Sequence, residues 1–151
     1  MPRSRARGAL APALALAALV LAADQITKWI VLQEWAGLPL RAAAWLRLDI
    51  TYNSGISFSQ LRDTGSLVVV LVAAVVGGVT IALFLAPPRY RPALGVILGG
   101  ALGNLVDRLR YDGAVLDFVG VSRYPSFNVA DVAIAVGTAW LVVQMIRGAR
   151  A

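Results

Sequence analysis

Asp117, in VLDF, and Asp131, in FNVAD, are the two carboxylates whose types and spacing offer chemistry. Two carboxylates held close together do not both ionise easily. One keeps a proton while the other acts as a base, and such a pair activates water for amide hydrolysis without any other reagent. Each residue also has a plainer reading. Asp131 stands where a helix would begin, so either it or Asn128 can serve as a cap or first-turn acid, and Asp117 can be a solvated loop acid. The chain holds few alternatives. It has no histidine and no cysteine, which excludes a Ser-His-Asp triad, an imidazole base, a thiol nucleophile, disulfides, and metal held by His or Cys. Lys28 is the single lysine and Glu34 the single glutamate, so acid–base or nucleophilic chemistry falls to seven aspartates, Lys28 and the hydroxyls.

Three further constellations stand beside this pair. Asp24 and Lys28 lie four residues apart with the acid first, the favourable helical order for an ion pair; such a pair lowers the cost of both charges near a membrane, and a direct substrate contact is the alternative. In GGALGNLVDR, Gly99, Gly100 and Gly103 suit close helix packing. Packing does not explain Asn104 and Arg108, which fall one turn apart on one face and are rich in donors for a substrate backbone or polar head; a buried structural network is the alternative. Asn53, in YNSGISF, follows a candidate strand and is read either as a turn residue, with Gly55, or as part of the site.

The elements that must position these residues follow from composition. Hydrophobic residues make up 59% of the 151 residues and charged ones 15%, against about 45–50% and 25% in soluble chains, and the mean hydropathy is +0.74. Too little polar surface remains to cover a water-soluble sphere, so this is a membrane protein. Uncharged stretches cover residues 8–23, 64–88, 92–106 and 132–146. Only 64–88 is long enough by itself to cross a core of about 30 Å as a helix. The other three reach spanning length by taking in Asp24, Asp107 and Asp131 respectively, and ionisable groups at membrane depth are functional candidates by default. Arg3, Arg5 and Arg7, Arg89 and Arg91, and Arg147 and Arg150 lie in short basic segments without acids, which places both termini in the cytoplasm. The net charge of +6 and pI of 10.8 therefore express orientation and contact with anionic headgroups, and no nucleic-acid partner is expected. Polar groups from four parts of the chain then converge on the extracytoplasmic boundary, with Asp24 and Lys28 at the outer end of the first span.

Between the first two spans, Leu46, Leu48, Ile50 and Tyr52 alternate with Arg47, Asp49, Thr51 and Asn53, a period of two that predicts a strand on an apolar surface. Val115–Val119 is a second, shorter strand. Together they predict a small sheet on the outer membrane face, with Trp29, Trp35 and Trp45 in an interfacial aromatic belt. One competing reading concerns the first span, where basic residues, an apolar run and Leu21-Ala22-Ala23 resemble a cleavable signal peptide. The Asp24–Lys28 pattern favours a retained helix.

DQITK, NSGISF, GGALGNLVDR, VLDF and FNVAD occur in this order along four hydrophobic spans. The set resembles the lipoprotein signal peptidases (signal peptidase II), bacterial inner-membrane aspartyl proteases, over residues 20–145. The resemblance implies removal of the signal peptide from prolipoproteins just before a diacylglyceryl-modified cysteine. It implies Asp117 and Asp131 as catalytic residues and Asn53, Asn104, Arg108 and Asn128 as residues that hold substrate or cyclic-peptide inhibitors such as globomycin, with Asp24 and Lys28 in support. Ser57 departs from the alanine common in the NxGxAF pattern, and the stretch FVGVSRYPS between the aspartates is compact. The expected architecture is an all-α integral membrane protein, a four-transmembrane-helix bundle with a small extracytoplasmic β-sheet, forming one membrane-embedded peptidase domain over 1–151. It is expected to act as a monomer in contact with membrane lipids, with no cofactor and no metal. Three rivals remain from the residues alone: a proton-coupled carrier, a Ser/Lys protease using Lys28 with Ser54 or Ser57, and a metal site built from aspartates. Apolar inner halves of the spans disfavour the carrier.

Overall fold

The computed structural model describes residues 10–34, 40–41, 43–54 and 64–149. The expectations for Arg3, Arg5, Arg7, Trp35, Gly55, Ser57 and Arg150 lie outside the described residues. In chain order the elements are α1 (Leu10–Glu34), β1 (Leu40–Arg41), β2 (Leu46–Asn53), α2 (Thr64–Leu85), a 3-10 turn (Pro88–Tyr90), α3 (Arg91–Arg110), β3 (Val115–Val121) and α4 (Val129–Ala149).

Four long helices are present among the described residues. Residues 10–34, 65–85 and 129–149 are long and apolar enough to cross a membrane. The fourth, α3, is 20 residues long but carries Arg91, Asp107, Arg108 and Arg110, and it packs in the middle against α1, α2 and α4. The uncharged run 64–88 is helical only to Leu85, because Pro87 and Pro88 lack N–H groups and disfavour helix in the residue before them. Arg91 then turns back: its guanidinium donates to the carbonyl oxygens of Ala86 at 3.1 Å and Phe84 at 3.4 Å. These are carbonyls that the end of α2 leaves without helical partners. The first helix runs without a break through Leu21, Ala22 and Ala23 to Glu34. Asp24 therefore lies about 15 Å of helix before that end. Ala13 and Ala17 belong to the core with Leu83, Leu94 and Leu98, so a cut after Ala23 would remove part of the protein's own packing.

Glycines let α3 sit at the centre. A Cβ on Gly99 would lie 2.5 Å from the Ala17 carbonyl oxygen, and one on Gly103 would lie 2.5 Å from Asp24 Oδ2. Close approach of backbones replaces large side chains here, as expected for helices that lack a hydrophobic driving force between them. Large apolar side chains face outward instead. Val70, Leu71, Val75, Ile81, Phe84 and Leu85 of α2 are all more than half exposed, a surface suited to lipid and not to water.

The sheet has the order β1-β2-β3, all antiparallel. Leu46, Arg47 and Leu48 pair with Val121, Gly120 and Val119, but Thr51, Tyr52 and Asn53 pair with Asp117, Leu116 and Val115. Two residues of β2, Asp49 and Ile50, therefore oppose Phe118 alone, a bulge. It breaks the expected alternation: residues 46–50 of β2 are half-buried and 51–53 exposed. Strand β3 is buried on both faces over most of its length, with Leu116 and Phe118 packed against Val31 of α1. After β3 the chain turns at Ser122, which adopts a φ of 50°. It returns so that Phe127 exchanges backbone hydrogen bonds with Val119 at 2.9 and 3.0 Å. The compact FVGVSRYPS stretch is this return, and it delivers Asn128 and the start of α4 beside Asp117.

Candidate active site

Asn128 organises the site. It precedes the first residue of α4, and its side-chain oxygen accepts the Asp131 backbone N–H at 3.0 Å while Asp131 Oδ2 accepts the Asn128 N–H at 3.1 Å. This reciprocal pair is a capping box made with Asn and Asp. The capping role anticipated for these residues is thus real, and it coexists with a second one. The Asn128 amide also donates to Asp117 Oδ1 at 2.8 Å and to Asn104 Oδ1 at 3.1 Å. Asn104 in turn donates to Asp131 Oδ1 at 2.8 Å. Asp117 and Asp131 are therefore tied to one another through Asn128, and Asn104 closes the ring from α3.

Asp117 is 2% exposed. Its Oδ2 accepts from the Asn53 amide at 3.1 Å. Asn53 pairs with Val115 across the sheet, which places it diagonal to Asp117 on the same face, within reach of an amide side chain. Burial pushes the Asp117 carboxyl up from 3.8 to about 6; the charge of nearby Asp131 pushes the same way, and the Asn53 and Asn128 hydrogen bonds and the Lys28 charge oppose it. Asp131 sits in the first turn of α4, where the helix terminus favours negative charge. The Asp117 carboxyl is thus disposed to hold a proton close to neutral pH.

Arg108 lies one turn beyond Asn104 and donates from Nη1 to the Asn104 carbonyl at 3.2 Å. Its Nε is buried and meets no acceptor among the described residues. A buried donor without a partner is costly, and an incoming carbonyl oxygen would relieve that cost.

Asp24 and Lys28 lie behind the two aspartates and touch neither directly through a hydrogen bond among the described residues. Both are buried, and Lys28 Nζ is 2.7 Å from Asp24 Oδ2 and 2.7 Å from Asp107 Oδ2. Asp24 Oδ1 accepts the Ala130 backbone N–H at 2.9 Å, and Asp107 Oδ2 accepts that of Leu116 at 3.0 Å. Gln25 links the two acids again, donating to Asp24 Oδ2 at 3.1 Å and Asp107 Oδ1 at 3.2 Å. Asp107 was a candidate from the sequence only as an acid at membrane depth, with no role assigned, and Gln25 was not singled out. The available signal for Asp107 was its position three residues after Asn104 in GNLVDR, on the same side of a helix.

Residues 16–147 match the family described as Signal peptidase (SPase) II. A lipoprotein signal peptidase of Burkholderia thailandensis is 38% identical over 157 residues, covering 95% of this chain and 94% of its own. One from Paraburkholderia phytofirmans is 37% identical over 158 residues, covering 97% and 91%. Two solved structures of bacterial membrane enzymes share the fold. The one determined in meso at 1.9 Å has a TM-score of 0.78 at 21% identity, covering 88% of this chain and 91% of that one; the other has a TM-score of 0.74 at 20% identity, covering 89% and 87%.

Proposed function

This chain belongs to the signal peptidase II family, and from that premise we propose that it is an aspartyl endopeptidase acting on diacylglyceryl-modified prolipoproteins. It cleaves just before the lipidated cysteine, with Asp117 and Asp131 as the catalytic pair. The observation that carries the reading is the joining of these two carboxylates through a single residue, Asn128, whose side-chain amide donates to Asp117 at 2.8 Å and whose backbone N–H donates to the Asp131 carboxylate at 3.1 Å.

Asp131 takes a proton from a water molecule, whose oxygen attacks the scissile carbonyl carbon. Asp117, holding its proton, donates a hydrogen bond to the carbonyl oxygen and stabilises the tetrahedral intermediate. The proton gained by Asp131 passes to the leaving amine as the C–N bond breaks. The signal peptide keeps the new carboxylate and the lipidated cysteine leaves with a free amino group. The buried Nε of Arg108 and the exposed Asn53 amide bind substrate backbone, and Asn104 and Asn128 hold the two carboxylates at working separation. Globomycin competes for the same groups.

The polar ends of α1 and α3, the start of α4 and the sheet face the extracytoplasmic side, and both termini face the cytoplasm. Substrate enters laterally, because its diacylglyceryl chains belong in the bilayer. The whole chain, 1–151, acts as a single membrane-embedded domain and as a monomer, without cofactor. A Ser/Lys mechanism is disfavoured by geometry, since the Lys28 ammonium is occupied by two carboxylates. The test is cleavage of a diacylglyceryl prolipoprotein by Lys28→Ala and Asp131→Asn. Turnover that is lowered but measurable in the first and lost in the second supports the aspartyl reading, and the reverse pattern overturns it.

A further inference from the structure

The cluster behind the site has an arrangement that simple charge neutralisation does not require. Asp24 Oδ1 receives the N–H of Ala130, the residue immediately before Asp131, and Asp107 Oδ2 receives the N–H of Leu116, the residue immediately before Asp117. The other contacts of these two acids run to one another's partners. Lys28 Nζ bridges them at 2.7 Å on each side, and the Gln25 amide bridges them again. Asp24, Lys28 and Asp107 are 0, 3 and 1% exposed.

We propose that Asp24–Lys28–Asp107 is a clamp of positioning residues that sets the separation of Asp117 and Asp131 by gripping the backbone amide next to each. The two catalytic carboxylates come from different elements, β3 and α4, joined by a turn. Asn104 and Asn128 tie the side chains at the front, and the clamp ties the backbones behind them. A buried ion cluster is a poor way to gain stability alone, because desolvation offsets most of the attraction and well-packed apolar groups do as well. It is a good way to fix geometry, since each carboxylate accepts from defined directions. Gly103 belongs to the same device, its missing side chain leaving the space that Asp24 Oδ2 fills. Misplacing reacting groups by about 1 Å costs roughly a hundredfold in rate.

The clamp presupposes the Asp117/Asp131 pair, and its test is chosen to separate the two claims. Full-length protein in lipid or detergent is assayed with a diacylglyceryl prolipoprotein, and backbone amide exchange is followed at Ala130 and Leu116. Lys28→Met is expected to lower kcat roughly ten- to a hundredfold with KM little changed, and to speed exchange at both amides together. Asp24→Asn is expected to speed Ala130 more than Leu116. Should Lys28→Met fail to fold, Asp107→Asn, which keeps the side-chain volume, carries the same test with an expected loss of about tenfold in kcat. A folded variant with wild-type kcat, or exchange unchanged at both amides, overturns the clamp. Normal turnover by Asp117→Asn or Asp131→Asn overturns the catalytic pair instead, and the exchange result then still reads the clamp by itself.

Discussion

Replacing Asp117 by asparagine should abolish cleavage and yet stabilise the protein above neutral pH. The carboxyl is raised from 3.8 to about 6, first by burial. A group whose folded pKa lies above its unfolded one contributes stability at low pH that is lost as pH rises between the two values. Here that interval spans about two pH units, and at about 1.4 kcal/mol per unit the buried charge costs the wild type roughly 3 kcal/mol above pH 6. Asparagine carries no such penalty. It does turn one NH2 toward a donor, and the longer contact, from Asn53 at 3.1 Å, is the one sacrificed; because Asn53 is exposed its amide can turn to water, so the loss is about 1 kcal/mol. The balance is about 2 kcal/mol in favour of Asp117→Asn at pH 8, a rise in Tm of about 4–8 °C, with the order reversed below pH 4. Thermal unfolding in a mild detergent at pH 4, 6 and 8 reads this directly. A variant less stable than wild type at pH 8, or a difference that does not change with pH, would refute the reasoning.

Other outcomes follow from single contacts. Asn53→Ala removes a hydrogen bond that holds the Asp117 carboxyl down, so the descending basic limb of kcat/KM should move to higher pH; an unmoved or lowered limb in the pH–rate profile counts against the assignment. Asn128→Ala deletes both the cap of α4 and the tie between the aspartates, and should cost about 1–2 kcal/mol in unfolding measurements together with a large fall in kcat. Gly103→Ala places a Cβ 2.5 Å from Asp24 Oδ2, whereas a Cβ on Gly78 meets nothing within 4 Å. The first should lower Tm, by about 1–3 kcal/mol of stability, and reduce turnover. Gly78→Ala should be neutral or slightly stabilising, and equal effects at the two positions would contradict the packing described.

Much of the architecture was readable because its signals were local. The alternation from Leu46 to Asn53 predicted the observed strand to its ends. The bulge at Asp49 and Ile50 was not readable, since it is defined by what lies opposite on β3, seventy residues away. Asp24 and Lys28 were legible as an ion pair within the first span, but the second carboxylate on the Lys28 ammonium comes from Asp107 of another helix. The same absence of tertiary information hid the partners of Asp107, which are Lys28, Gln25 and a strand amide. Asn128 and Asp131 carried two legible roles, cap and site. Only the three-dimensional arrangement shows that one set of hydrogen bonds serves both.

The most direct measurement is cleavage of a diacylglyceryl prolipoprotein by Asp117→Asn and Asp131→Asn, assayed separately at the pH where wild type is most active and at a temperature where both variants are folded. Removing either member of a catalytic unit of this kind should lower kcat by a factor on the order of 10⁴ or more, while substrate is still bound. Near-normal turnover by either variant would remove that residue from the pair and contradict the mechanism.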